Sequence, residues 1–215
     1  MSLIIRAYHQ VDRDAVRALA CETAARGDPV ERFFHDRVVF ADLLTRYYTD
    51  WEPRSLWIAE QDGSVVGYLT GCLDTRRYRR LMAWRIIPAA VVRGLRRGAL
   101  CHPETWRLLH GAVRTCRLVG FGRKPSLEPY PAHLHINLRR DVRGRQIGQR
   151  LVARFVDQAR TAGVPGIHAA IRGDNPPACR FFERMGFVPL GRSPVMFPSG
   201  KRLELHETVL YGKRV

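Results

Sequence analysis

At 215 residues and 46% apolar content, the chain can bury one substantial core, and no Pro/Ser-rich linker or internal repeat marks a second domain. No uncharged apolar run reaches the roughly 18 residues that a membrane-spanning helix needs. Thirty-six Lys and Arg against 20 Asp and Glu leave a formal net charge of +16, a surplus that is unevenly placed.

The first residues, Met1 to His9, lack the layout of a secretory signal, which predicts a cytoplasmic protein. Ile4-Ile5-Arg6-Ala7-Tyr8 reads as a strand near 3–8, and Asp12 precedes an apolar helix. Leu56 to Glu60 and Val65 to Gly71 read as strands 56–61 and 64–71 of a hairpin, because Asp62-Gly63 suits a tight turn. The five cysteines, Cys21, Cys72, Cys101, Cys116 and Cys179, are odd in number and lack CxxC spacing. They read as reduced, mostly buried thiols rather than disulfides or zinc ligands, and no metal site is expected.

Residues 76–124 come next, and a structureless stretch of that length is out of place in a compact domain. The pattern predicts helices at roughly Arg76 to Ile87, Ala89 to Arg97 and Pro103 to Leu118, separated by Pro88 and by Gly98 to His102. Trp84, Ile87, Val91 and Leu95 share one face. From Arg76 to Lys124 there are thirteen basic residues and a single acid, Glu104, so most of the chain's charge sits here. Only Lys124, Lys201 and Lys213 are lysines, and a genomic bias would explain Arg over Lys but not the missing acids. Three readings stay open: a basic lid attracting an anionic substrate or cofactor phosphates, a membrane-surface or nucleic-acid patch, and a solvated helical hairpin or dimer contact. No recognised nucleic-acid module accompanies the patch.

The apolar run Leu134 to Leu138 belongs to a strand near 132–138 and feeds Arg143-Gly144-Arg145-Gln146-Ile147-Gly148. A strand entering a helix through a tight Gly-containing loop gathers backbone N–H groups and the positive end of a helix dipole, a cradle for phosphate. The helix shows its period: Ile147, Leu151, Val152, Phe155, Val156 and Ala159 on one face, with Gln149, Arg150, Arg154, Asp157 and Gln158 opposite. Gly163-Val164-Pro165-Gly166 breaks the chain before a strand near 167–171. Asp174 or Asn175 can then cap a helix that opens on Pro176 or Pro177 and ends at Gly186. Strands near 187–191 and 203–211 close the chain, the last alternating as an antiparallel strand would.

This succession resembles the GNAT superfamily of N-acetyltransferases across residues 132–190. Its motif reads (Gln/Arg)-x-x-Gly-x-(Gly/Ala), followed by Asn-x-x-Ala-x-x-Phe-Tyr-Glu-x-x-Gly-Phe, and Asn175 to Phe187 follows the second part closely. Tyr130 to Leu138, with Leu73 to Arg76 upstream, is similar to the acetyltransferase-like proteins related to the domain that accompanies some O-GlcNAc hydrolases. The resemblance implies an α/β acyl-CoA N-acyltransferase fold, a mixed, splayed sheet of about seven strands with helices on both faces, and a helical insertion between the third and fourth strands. It implies acetyl-CoA as co-substrate and a small-molecule or peptide amine as acceptor, anionic if the insertion recruits it.

The resemblance also assigns the cofactor's contacts. Backbone donors from Arg143, Gly144, Arg145, Gln146, Ile147, Gly148 and Gln149 would receive the pyrophosphate, helped by the guanidinium groups of Arg143 and Arg145. The pantetheine arm would pair with the strand end at Leu138, whose neighbourhood supplies an oxyanion donor, and Asn175 would bond the arm from the other side. Two residues depart from the pattern. Gln146 stands where Gly is usual, and Phe182 stands where a Tyr commonly protonates the leaving thiolate, a proton that Phe cannot give.

An ammonium acceptor must lose a proton before it attacks, a task for a group with pKa near neutrality. By period two, His133, His135 and Asn137 share one strand face, with Leu134, Ile136 and Leu138 on the other. His135 lies nearest the expected thioester and is the candidate base; a core histidine bonded to structure is the competing reading. His168, His206, Glu60 and Glu207 are reserves, and Cys179 reads as a small helix residue. A non-catalytic CoA-binding or polyanion-binding module is the rival function.

Overall fold

The computed structural model describes residues 3–24, 27–120, 125–199 and 202–215. Seven strands form one sheet in the order β1-β2-β3-β4-β5-β7-β6. β1 (Leu3–Ala7) pairs antiparallel with β2 (Leu56–Gln61). β2 turns into β3 (Ser64–Cys72) through Asp62 and Gly63, whose φ angles of 49° and 78° are those an Asp-Gly hairpin requires. β4 (Ala132–Leu138) pairs antiparallel with β3 over six registers, Cys72↔His133 to Gly67↔Leu138.

The sheet then parts. β4 and β5 (Gly166–Arg172) run parallel but pair only at Ala132↔Ile167 and His133↔His168. Beyond those two registers β5 keeps its partner on the other side, β7 (Arg202–Arg214), which pairs in turn with β6 (Val188–Ser199). The last two strands are longer than the pattern predicts, 188–199 and 202–214 against 187–191 and 203–211. Pro194 and Pro198 obscure β6 in the sequence, yet β6 is an edge strand, where a residue without an N–H costs no ladder bond.

Two helical layers cover the sheet. α6 (Ile147–Thr161) and α7 (Pro176–Arg184) share a core with Leu69, Leu134, Ile167 and Ala169. All six apolar residues of the predicted α6 stripe are buried. α1 (Arg13–Glu22) and α2 (Arg37–Asp50) pack the opposite face around Leu56, Ile58 and Tyr68. The sequence pattern does not announce α2, for a physical reason. Tyr47 and Tyr48 face the sheet while Val39 and Ala41 bury against Ala90 on the outer side, so no single apolar stripe remains.

The insertion is helical, with one correction. Asp74 caps α3 (Thr75–Leu81) by accepting from the N–H groups of Arg76 and Arg77. Pro88 does not interrupt the helical path, because a π turn, Met82–Ile86, carries the chain into α4 (Ile87–Arg96) with Pro88 in its first turn. α4 leans on α2, and α5 (Pro103–Gly120) lies across β6, where the Met196 N–H donates to Thr115 Oγ1 at 2.8 Å. Residues 121–124 of the predicted insertion lie outside the described residues. Two insertion arginines are structural: Arg97 reaches Asp36 at 2.6 Å and Arg93 reaches the buried Asp42 at 2.9 Å.

The cysteines are all free, but Cys101 and Cys116 are exposed on the insertion and only Cys21 and Cys72 are buried, so the expectation of mostly buried thiols fails there. Among the described residues, no cluster of His, Cys, Asp or Glu is arranged to hold a metal ion. No helix among them is long and apolar enough to cross a membrane.

Candidate active site

The parting of β4 from β5 opens a gap in the middle of the sheet, edged on both sides by extended backbone with no strand partner across it. The β4 face predicted to carry polar groups does so: His133, His135 and Asn137 stand opposite Cys72, Thr70 and Tyr68. Their environments differ. His133 is held at both ring nitrogens, by the Tyr48 hydroxyl at 2.9 Å and the Thr75 hydroxyl at 2.8 Å, with Tyr78 edge-on at 4.6 Å. Burial, with His168, Arg79 and His135 adding like charge, pushes its pKa down to about 3. Asn137 donates to the buried Tyr68 hydroxyl at 2.8 Å.

His135, two registers past the last β4–β5 pair, is solvent-exposed. It is recessed nonetheless: surrounding protein lowers its pKa by desolvation, and a hydrogen bond with Asn137 opposes that shift. A lowered pKa leaves the ring neutral at neutral pH, with a lone pair able to take a proton. His168 is buried and bonds the Tyr130 carbonyl through Nδ1 at 2.8 Å.

At the mouth of the gap stands the predicted phosphate loop. Gly144 (φ 81°) and Gln146 (φ 60°) both take the left-handed conformation. Gln146 is the N-cap of α6 but places no side-chain hydrogen bond on the helix. The first intrahelical bond runs from the Arg150 N–H to the Gln146 carbonyl, so Ile147, Gly148 and Gln149 present N–H groups without helical partners. A Cβ on Gly148 would sit 3.2 Å from the Phe181 ring and 3.5 Å from Ile136 Cδ1, which brings α6, α7 and β4 together at this point. Asn175 caps α7, accepting from the Ala178 N–H at 3.4 Å. An uncapped helix start beside an open strand edge suits a phosphate with an amide-bearing arm.

Two predicted contacts need correction. Phe182 is only 2% exposed and packs against Phe181, Phe187 and Tyr211, so its ring belongs to the core rather than to the gap. Arg143 turns its guanidinium back onto the Leu138 carbonyl, at 3.2 and 3.3 Å, and against Gly27, where a Cβ would lie 2.7 Å from Nη2. It ties the loop to the end of β4, while Arg145 is exposed on the loop. The Ile147 side chain is buried, which leaves its backbone N–H as the donor predicted.

The reserve bases are committed elsewhere. Glu60 binds Arg6 at 2.6 Å, Glu207 binds Arg192 at 2.5 Å, and His206 lies 3.0 Å from Asp174. Sequence reasoning passed over the tyrosines: Tyr48 from α2 and Tyr78 from α3 enclose His133 from elements far away in the chain. A polar strand face inside an apolar core was the one available signal that such partners had to exist.

The sequence model of the acetyltransferase (GNAT) family matches residues 26–187. The chain belongs to that family. Among solved structures, the GNAT chain is similar to SsHAT at 27% identity and a TM-score of 0.75, covering 100% of this chain and 98% of that one. It shares its fold with yncA from Salmonella typhimurium, solved with its cofactor acetyl-CoA, at 16% identity and a TM-score of 0.60, covering 100% and 94%. A phosphinothricin acetyltransferase from Sinorhizobium meliloti, in complex with acetyl-CoA, has the fold at 14% identity and a TM-score of 0.58, covering 100% and 89%.

Proposed function

We propose that this GNAT protein transfers an acetyl group from acetyl-CoA to a primary amine by direct attack, with His135 as the base. The observation that carries the reading is the coincidence of three features: the unpaired β4 edge, the uncapped start of α6 at its mouth, and an accessible neutral histidine on the floor. Relatives of the same fold solved with acetyl-CoA support the choice of cofactor. When bound, acetyl-CoA supplies an activated acyl thioester.

The chain's own groups divide the work. The N–H groups of Ile147, Gly148 and Gln149, aligned with the helix dipole, hold a diphosphate, and exposed Arg145 adds charge. The β4 edge toward Leu138 offers main-chain groups to an amide-bearing arm. His135 takes the proton that an ammonium acceptor must shed. No proton donor is assigned to the departing thiolate; a CoA thiol is acidic enough to leave as its anion, so a phenylalanine at position 182 is compatible with turnover. In this reading the insertion helix α3, with Arg76, Arg77, Arg79 and Arg80, recruits an acceptor bearing negative charge. The kinship proposed from β4 is with the acetyltransferase-like proteins related to the domain accompanying some O-GlcNAc hydrolases.

The test is acetyl-CoA turnover, followed as released thiol, against a panel of small amines and peptide N-termini and lysines. Turnover with at least one amine, lost on His135→Ala, is the expected result. CoA binding by calorimetry with no turnover across the panel would instead assign a non-catalytic CoA-binding module.

A further inference from the structure

The insertion displays an unusual surface. Of the fourteen large hydrophobic side chains exposed on the described residues, ten lie between Trp84 and Leu118. They are ordered rather than scattered. Trp84, Ile87, Val91 and Leu95 form a stripe along the π turn and α4, and Trp106, Leu109 and Val113 form a second along α5. The turn between the helices is tied to the second stripe, the Trp106 indole donating to the Leu100 carbonyl at 2.8 Å. Trp84 is 80% exposed and Trp106 56%, which for the largest apolar side chain is costly in water unless a partner covers it. The inner faces of α4 and α5 are already occupied by α2 and β6, so the core cannot absorb these stripes.

Charge decides what the partner is. Arg85, Arg96, Arg114 and Arg117 flank the stripes and make no ion pair among the described residues. The segment's one acid, Glu104, is bonded to Arg107. A second copy of the chain would press one basic, acid-poor surface against another, which disfavours an isologous contact. A nucleic acid would satisfy the arginines but offers nothing to bury Val91, Leu95, Leu109 and Val113 against. A bilayer with anionic headgroups satisfies both: the phosphates meet the guanidinium groups, and the acyl boundary takes the tryptophans and aliphatic side chains.

We propose that the α4–α5 face docks this protein on an anionic membrane surface, lying in the headgroup layer with Trp84 and Trp106 inserted. The inference is independent of the catalytic reading, which gives none of these residues a part.

Sedimentation of the 215-residue chain with vesicles tests it, comparing pure phosphatidylcholine with phosphatidylcholine containing about 30% phosphatidylglycerol at about 0.1 M salt. The expected result is binding at least about tenfold stronger to the anionic vesicles, with a blue shift of tryptophan emission as the indoles leave water. A Trp84→Ala, Trp106→Ala double variant, altering only exposed side chains, loses most of that binding, as does an Arg85→Glu, Arg117→Glu variant. CoA affinity measured on the same samples reports that each variant is folded. Four outcomes overturn the proposal: no binding to anionic vesicles, binding that survives both double variants, a parent that is a dimer at these concentrations and becomes monomeric in the tryptophan variant, or tighter binding to duplex DNA than to vesicles at equal salt.

Discussion

His133→Gln tests whether the tie between β4, α2 and α3 is built for a neutral ring. In the native protein the imidazole meets the Tyr48 and Thr75 hydroxyls, and its pKa is pushed down to about 3, by burial first and then by the charges of His168, Arg79 and His135. In the unfolded chain the same ring titrates near 6.5. Its folded pKa is therefore the lower one. As pH falls through 6.5 the unfolded state gains a proton that the native state refuses, and stability is lost until the native ring titrates near 3. Between pH 7 and pH 5 the loss from this one group is about 2 kcal/mol. Glutamine keeps a donor and an acceptor for the two hydroxyls but cannot titrate. Urea unfolding at both pH values, followed by tryptophan emission, should show the parent losing about 2 kcal/mol more than the variant, a midpoint difference of about 1 M. His168 is also depressed, by burial first and opposed by bonding to Tyr130 and Ala132, so its contribution stays in both proteins. An equal pH-dependent loss in the two would refute the assignment of a neutral, structural His133.

Gly148→Trp fills the mouth of the gap, where even a methyl group would sit 3.2 Å from the Phe181 ring, and should weaken CoA binding in calorimetry by about 1 kcal/mol or more. Unchanged affinity would take the α6 start off the cofactor's path. His135→Ala should lower turnover about 100-fold while CoA affinity holds, whereas near-normal rates would return His135 to a structural role. Neutralising Arg76, Arg77, Arg79 and Arg80 together should raise the acceptor's KM and flatten its dependence on salt with kcat preserved. A variant kinetically identical to its parent would make that cluster solvated decoration. Gly71→Ala puts a Cβ 2.2 Å from the Phe155 ring and should cost about 1–3 kcal/mol in thermal unfolding; an unshifted Tm would mean that the ring moves freely.

What could be read in the sequence was local and periodic. The α6 stripe, the Asp62-Gly63 turn, the Asn175 cap and the alternation along β4 each depend on neighbours within a few residues, and each stands in the structure as the pattern predicts. What stayed hidden depends on partners far along the chain. Tyr48 and His133 are 85 residues apart, and nothing near either announces the other. α2 was obscured because it is buried on two sides, and the reach of β6 because its prolines sit on an edge. Phe182 and Arg143 show a different limit. A motif position fixes where a residue lies along the backbone, but packing decides which way its side chain turns, into the core for one and back onto Leu138 for the other.

The two-register junction between β4 and β5 makes the sheet a seam as well as a scaffold. One half, β1 to β4, and the other, β5 to β7, are stitched by backbone bonds at one end alone, and the rest of their union depends on side chains, those of α6 and α7 and contacts such as Phe33 on Phe197 among them. A ligand lying along the open edges would act as the missing stitching, adding amide pairs and removing two solvated strand edges at once. Saturation at about 100 times Kd would then add about 2.7 kcal/mol to global stability by mass action. The gain should be concentrated in slower hydrogen exchange along residues 134–138 and 169–172, so that occupancy of the seam can be read from backbone amides even where no acceptor for the acetyl group is known.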